Sequence, residues 1–372
     1  MKAEWRTWTF DEAVEDASGG NIKTPQGEYL PKGELPIVDQ GEKLVGGYSN
    51  ELAAACRASL PVVVFGDHTR RLKYVDFSFG MGADGVKVLS PRVGIDAKYL
   101  YHYLRSLALP AAGYDRHFKY LKRVSITAPP LPEQRRIAEV LDRAETLRSQ
   151  RRQALAQLDA LAESIFLDMF GDFESNARGW PIKALEELND TGRPIGYGIL
   201  MPGPDQPDGV PYVRVVDMKN GEINVSGVRR TTLEINHQYR RSTLRTGDLL
   251  ISIRGHVGRM ARVPAELDAA NITQDSARIA PAGVDVTYLL AALRSAASQR
   301  WMQRRTRGVA VQGLNIGDLR LLPVPLPPRK LQEQFARRIN VVDQMRQIGR
   351  VQTLQLNALF ASLQHRAFRG EL

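Results

Sequence analysis

Cysteine is almost absent from this chain of 372 residues: Cys56 is the only one. A single thiol forms no internal disulfide and cannot build a thiolate cage for a metal. The six histidines, His68, His102, His117, His237, His256 and His365, show no metal-ligand spacing. No stretch approaches the roughly 20 apolar residues of a membrane-spanning helix, and Met1-Lys2-Ala3-Glu4-Trp5 opens no apolar signal segment. A cytoplasmic protein with no membrane partner is expected. No P-loop and no His-Glu-x-x-His is present. Gly80-Met81-Gly82-Ala83-Asp84-Gly85 fits Gly-x-Gly-x-x-Gly, but strand-like Val86-Lys87-Val88-Leu89 follows where a dinucleotide fingerprint needs a helix. Ala128-Pro129-Pro130-Leu131 shares a Pro-Pro pair with the amino-methyltransferase motif but lacks its polar and aromatic flanks. The chain therefore reads as non-catalytic, with no catalytic residue, no metal and no cofactor of its own.

What is present is positive charge, 51 Lys+Arg against 41 Asp+Glu, a formal net of +10 and a pI near 9.7. That surplus suits a polyanionic partner. With 43% hydrophobic and 25% charged residues the composition is globular, and the length suits two or three domains.

The chain also repeats itself. Pro129-Pro130 and Pro327-Pro328 open two long helical patterns 198 positions apart, with Gln134/Gln332, Ala138/Ala336, Arg148/Arg346, Leu158/Leu356, Leu161/Leu359, Ser164/Ser362 and Phe170/Phe368 in one gapless register. Upstream, Gly66/Gly255, Arg70/Arg259 and Tyr99/Tyr288 match at an offset of 189. A period this long is a domain duplication. The order is globular unit, long helix, globular unit, long helix. Heptads place Ile137, Leu147, Leu158, Leu161 and Ile165 in a coiled-coil seam of the first helix, with Leu141 in an adjoining stripe. Phe335, Val342, Met345, Leu356, Leu359 and Leu363 form the seam of the second.

The globular units read as mixed α and β. Strands are expected over 61–65, 74–77, 85–89 and 248–253, and short helices over 97–107 and 287–305. Basic clusters lie beside these elements. Thr69, Arg70, Arg71 and Lys73 follow the first apolar strand, with His68 just ahead of them. Arg116, His117 and Lys119 alternate with aromatics, and Arg214 follows another short apolar run. Arg254, His256 and Arg259 sit after the 248–253 strand, and Arg304, Arg305 and Arg307 lead to Gln312 and Asn315. Arginine and lysine neutralise phosphate, arginine reads guanine, and Asn or Gln reads adenine. These residues are the expected contacts to double-stranded DNA.

Pro129 through Ala138, continuing through Leu158-Asp159-Ala160-Leu161 to Ser164–Asp172, resembles the central conserved region of the specificity subunits of type I restriction–modification enzymes. Leu359–Leu363 and Arg366–Leu372 resemble that family's distal conserved region. Ser18-Gly19-Gly20, Pro36-Ile37-Val38, Gly46-Gly47-Tyr48 and Val64–Thr69 resemble one lineage of its target-recognition domains. The resemblance implies an α/β (mixed α+β) fold with two tandem recognition domains separated by two long helices forming an antiparallel coiled coil. It divides the chain into recognition domain 1 (1–130), central helix (131–172), recognition domain 2 (173–328) and distal helix (329–372). It also implies a subunit without chemistry of its own, reading a bipartite asymmetric DNA site. Two methylation subunits carrying S-adenosylmethionine dock on it, methylating adenine N6, and motor–nuclease restriction subunits join for cleavage. Two other readings remain open from sequence alone: the recognition portion of a fused restriction–methylation enzyme, and a coiled-coil scaffold without DNA function.

Overall fold

The computed structural model of the chain describes residues 5–83, 85–110, 116–219, 221–308 and 312–372; Asp84 of the glycine-rich motif lies outside them. The fold is mixed α and β. It divides into two compact units, Met1–Ala154 with Gly349–Leu372, and Leu155–Ile348. Both division points fall inside long helices, Leu131–Phe170 and Arg329–Ala367.

In the first unit, four strands form one sheet in the order Val14–Asp16, Val86–Pro91, Val62–Gly66, Leu72–Val75. Every residue of Val62–Gly66 is buried. Alternate side chains leave a strand on opposite faces, and each face meets its own core. Val63 and Phe65 pack with Phe10, Tyr99, Leu100, Ile137 and Leu141. Val62 and Val64 pack with Val38, Phe79, Met81 and Val88. Covering both faces requires the continuous apolar run that marks this strand in the sequence. Gly80–Gly82 is itself a strand of a second sheet, pairing with Lys23–Thr24 and Leu35–Val38. A Cβ at Gly82 would meet the Tyr29 hydroxyl at 2.6 Å, so close packing explains this glycine.

The second unit repeats the plan with strands Gly196–Tyr197, Ser276–Ile279, Leu249–Ser252 and Met260–Arg262. Leu249 and Ile251 face the core around Phe166, Phe170 and Phe335, while Leu250 faces Val213 and Ile272. The expected helix over 287–305 is two helices, Val286–Arg294 and Ala296–Arg305, because Ser295 interrupts it. Its side chain accepts from the Ser298 amide and starts the second helix as an N-cap.

Strand register corrects one sequence pairing. Phe65 pairs with Leu72, and the Ser252 amide donates to the Arg259 carbonyl, with Ile251 opposite Met260. The Gly66 amide likewise donates to the Arg71 carbonyl, so Gly66 corresponds to Ser252 at an offset of 186, and Val63 and Phe65 to Leu249 and Ile251 on the same face. The turns therefore differ in length, 67–70 in the first hairpin and 253–258 in the second, and Arg71 rather than Arg70 stands where Arg259 stands. The pairing of Gly66 with Gly255 and Arg70 with Arg259 does not hold, because shared residue identity is weaker than the two-faced burial that sets register.

The helices after these sheets keep the offset of 189. Asp96 and Asp285 cap Ala97–Ser106 and Val286–Arg294, each accepting from two backbone amides. The entry to each long helix is also duplicated. The buried Gln134 side chain accepts from the Asp96 amide and donates to the Gly94 and Pro129 carbonyls, each at 2.8 Å. Gln332 accepts from the Asp285 amide and donates to the Pro327 carbonyl, again at 2.8 Å. One amide side chain thus ties the cap of a short helix to the start of a long one.

Within each unit the two long helices run antiparallel. In the first, Arg136 donates to the Leu372 carbonyl and Arg148 to Asn357 Oδ1, so partners move backward as positions move forward. In the second, Asp159 meets Arg346 at 2.9 Å, and Phe170 stacks edge-on with Phe335. The seam needs correction at one of its two positions. Ile137, Phe335 and Val342 are buried, and Leu158, Ile165, Leu356 and Leu363 partly so. Leu147, Leu161, Met345 and Leu359, however, are about half exposed, at 52%, 45%, 52% and 51%. The inward position falls one residue later, at Leu141, Arg148, Leu155, Ala162 and Met169, and at Ile339, Arg346, Thr353, Phe360 and Ala367. Two of these are arginines at repeat-equivalent places, and a polar residue in a seam disguises the heptad.

Candidate nucleic-acid interface

In the first unit the turn 67–70 gathers two basic clusters that are distant in sequence. Asp67 is buried. Its carbonyl accepts from the His117 amide at 2.9 Å and His117 Nδ1 at 3.0 Å, and its carboxylate accepts from the Phe118 amide at 2.7 Å. The short helix Phe118–Leu121 is therefore moored to the turn, placing Arg116 and Lys119 on the segment beside it. Arg70 has a left-handed backbone, φ +58°, which costs a non-glycine residue energy. Its guanidinium donates to the Leu109 carbonyl at 3.2 Å, so it does not pair with Asp67. Thr69 Oγ1 donates to the Gln40 carbonyl, and Arg71 lies 3.7 Å from Glu42 in an exposed pair worth little. Thr69, Arg70, Arg71, Arg116 and Lys119 are exposed and His68 partly so.

Two expected contacts in this unit are internal. Lys73 is 7% exposed and lies 3.3 Å from Asp39. Burial pushes its ammonium below the ordinary lysine range, with Asp39 opposing the shift. The inward face of its strand draws it away from solvent. His117 is 1% exposed, with its Nδ1 hydrogen-bonded to the Asp67 carbonyl.

In the second unit the turn 253–258, the helix Ala296–Arg305 and Gln312 enclose one open groove. Its lining is Gly255, His256, Val257, Gly258, Arg259, Gln299, Gln303, Thr306 and Gln312. The Gly255 amide donates to the Gln312 carbonyl at 2.9 Å, joining turn and loop across the groove. Arg254 Nη1 donates to Gln274, and Arg305 lies 3.8 Å over the Trp301 ring. Arg307 bridges Gly313 through its backbone and leaves its side chain exposed. Three expected contacts are otherwise engaged. Arg214 grips Asp217 through two nitrogens, at 2.9 and 2.7 Å, within its own short turn. Asn315 caps Ile316–Arg320 by accepting from the Gly317 amide, and Arg304 lies 3.5 Å from Glu174. Gln299, Gln303 and Thr306 were not expected from the sequence; the helix break at Ser295 brings them to the groove, and only the Ser-x-x-Ser cap hints at it.

Among the described residues no group of His, Cys, Asp or Glu is arranged to hold a metal ion, and no helix is long and apolar enough to cross a membrane. The fold is a duplicated one built on two long helices, with a basic turn in each unit. Residues 177–356 match the family Type I restriction modification DNA specificity domain. The specificity subunit of the type I restriction enzyme EcoBI from Escherichia coli is 33% identical over 199 residues, 52% of this chain and 42% of that one. The specificity subunit of EcoR124I/EcoR124II from Escherichia coli is 28% identical over 133 residues, 32% of this chain and 33% of that one. The matched stretches thus span less than half of either relative. In fold, the chain is similar to the S subunit of the type I restriction-modification system from M. genitalium, with a TM-score of 0.62, 16% identity, and coverage of 98% and 96%. A chain of the type I R-M system studied for complex assembly and conformational transition gives a TM-score of 0.55 at 17% identity, with both chains fully covered. The specificity-domain match thus covers a little under half of this chain, and the solved structures share its fold.

Proposed function

We propose that this chain is the DNA-reading subunit of a type I restriction–modification complex, each unit recognising one half of a bipartite, asymmetric duplex site. The observation that carries the reading is the duplicated hairpin turn, exposed and basic in both units and braced from behind by a buried sheet. In the first unit His68, Thr69, Arg70, Arg71, Arg116 and Lys119 face the duplex. In the second, Arg254, His256, Arg259, Arg305, Arg307 and Gln312 do so. Such residues position phosphates and read base edges.

The repeated helices offer two similar surfaces, which supports docking of two methylation subunits. Those partners supply S-adenosylmethionine and must flip the target adenine, whose N6 is out of reach within the stack. Motor–nuclease subunits add cleavage. The chain itself contributes recognition only, and the cytoplasm, where the chromosome lies, is its place of work. The test is labelled S-adenosylmethionine with genomic DNA: incorporation is expected only when the methylation subunit is added to the chain. Incorporation by the purified chain alone overturns the reading.

A further inference from the structure

The groove of the second unit holds a set of polar groups that the fold does not use. Gln299 and Thr306 line it but are spent on backbone, Gln299 Nε2 donating to the Leu293 carbonyl at 3.0 Å and Thr306 Oγ1 to the Met302 carbonyl at 2.9 Å. The side chains of His256, Arg259, Gln303 and Gln312 make no hydrogen bond to protein among the described residues, and all four are exposed. They converge on a floor without side chains of its own. Gly255 has φ +70° and open space where a Cβ would project, so its backbone can be approached closely, whereas the space beside Gly258 is taken by the Gln299 amide.

The chemistry of the unspent groups is specific. A neutral carboxamide adds no charge for phosphate, but it offers a donor and an acceptor side by side. Adenine presents the complement in the major groove, N7 as acceptor and N6 as donor, and Gln pairs with both at once. The turn of the first unit carries Arg70, with Arg71 just after it, both exposed. We propose that Gln303 and Gln312 read adenine in the half-site bound by the second unit, with Arg259 alongside on phosphate or guanine. This rests on the reading of the chain as a DNA-recognition subunit.

The experiment uses the chain assembled with its methylation subunits, on duplexes carrying the methylated sequence mapped in its host. Anisotropy titrations compare wild type with Q303A, Q312A and R259A, each checked for an unchanged melting curve. Q303A or Q312A is expected to lose about tenfold of its preference for A·T at one base pair, which corresponds to the worth of one good bidentate contact. Affinity for unrelated duplex and the salt slope stay unchanged. In wild type, 7-deazaadenine at that position, which removes N7, reproduces the loss; in the variant it adds nothing. R259A weakens binding on its own account, lowering the salt slope by about one if it holds phosphate. If R259A weakens binding while both glutamine variants keep full discrimination at every A·T pair, the proposal is overturned and the DNA-facing reading stands. If none of the three changes binding, this groove is not an interface, and both fail.

Discussion

Arg70 and Lys73 lie three residues apart and do opposite things. Both are cations in one basic run, but Leu72–Val75 is a strand, and alternation turns Lys73 inward to Asp39 while the turn holds Arg70 outside. Removing one partner of a buried pair leaves the other uncompensated, a loss of about 3 kcal/mol or more. K73M is therefore expected to lower the denaturation midpoint of the protein while its folded fraction binds DNA with an unchanged salt slope. A reduced slope would place Lys73 on phosphate. Asp142 offers a second test. Burial raises its carboxyl pKa, but hydrogen bonds from His102 and Lys98 outweigh burial and hold it below the ordinary value. A depressed folded pKa gives stability that is present above the unfolded value, near pH 4, and is lost as pH falls through the folded one. D142N is expected to flatten the acid limb of the stability curve below about pH 4 and to lower stability at pH 7. An unaltered acid limb would show that Asp142 is not a contributor. Residue type alone could nominate cations for the interface, but it could not separate Arg70 from Lys73 or Arg116 from His117. That choice depends on strand parity and on the Asp67 clamp, which joins positions about 50 apart in sequence.

The long helices show the same mixture of what periodicity reveals and what it conceals. Their existence, their starts after Pro-Pro and the inward row at Ile137, Leu158, Phe335 and Val342 follow from an apolar heptad. In the first helix the companion row is legible as a second apolar stripe, Leu141, Leu155, Ala162 and Met169, interrupted by Arg148; in the second it is not, because Gln332, Arg346 and Thr353 occupy it, and polar residues look like surface. Their partners explain them: Arg148 reaches Asn357 and lies 4.4 Å over Phe360, and Arg346 reaches Asp159 and the Leu158 carbonyl. The corrected seam makes a sharp comparison. L141A and I339A, which empty buried sites, should each cost about 2–5 kcal/mol. L147A and M345A, at half-exposed sites, should cost less than about 1 kcal/mol. Equal costs in chemical denaturation would restore the original heptad assignment.

For the whole molecule, the duplication is the feature with the most consequences. Sheets, turns, caps and glutamine clamps recur in both units, while the residues at the turns differ, as expected when one scaffold reads two different half-sites. If each unit reads one half-site, as proposed, the long helices set the gap between the two. Inserting one heptad within Arg148–Gln157, matched by one within Arg346–Gln355, adds about 10 Å of helix, near three base pairs at about 3.4 Å each. The same two half-sites are expected with a longer gap between them, and an unchanged gap in a folded variant would end the spacer idea. The central claim, one chain with two independent readers, is tested most directly by the adenine methylome of the host expressing wild type, no chain, or a variant altered at Arg259, Gln303 and Gln312 together. The account predicts one bipartite methylated sequence with wild type, none without the chain, and relaxation of a single half in the variant with the other half intact. A sequence that persists without the chain, or two halves that change together, would contradict it.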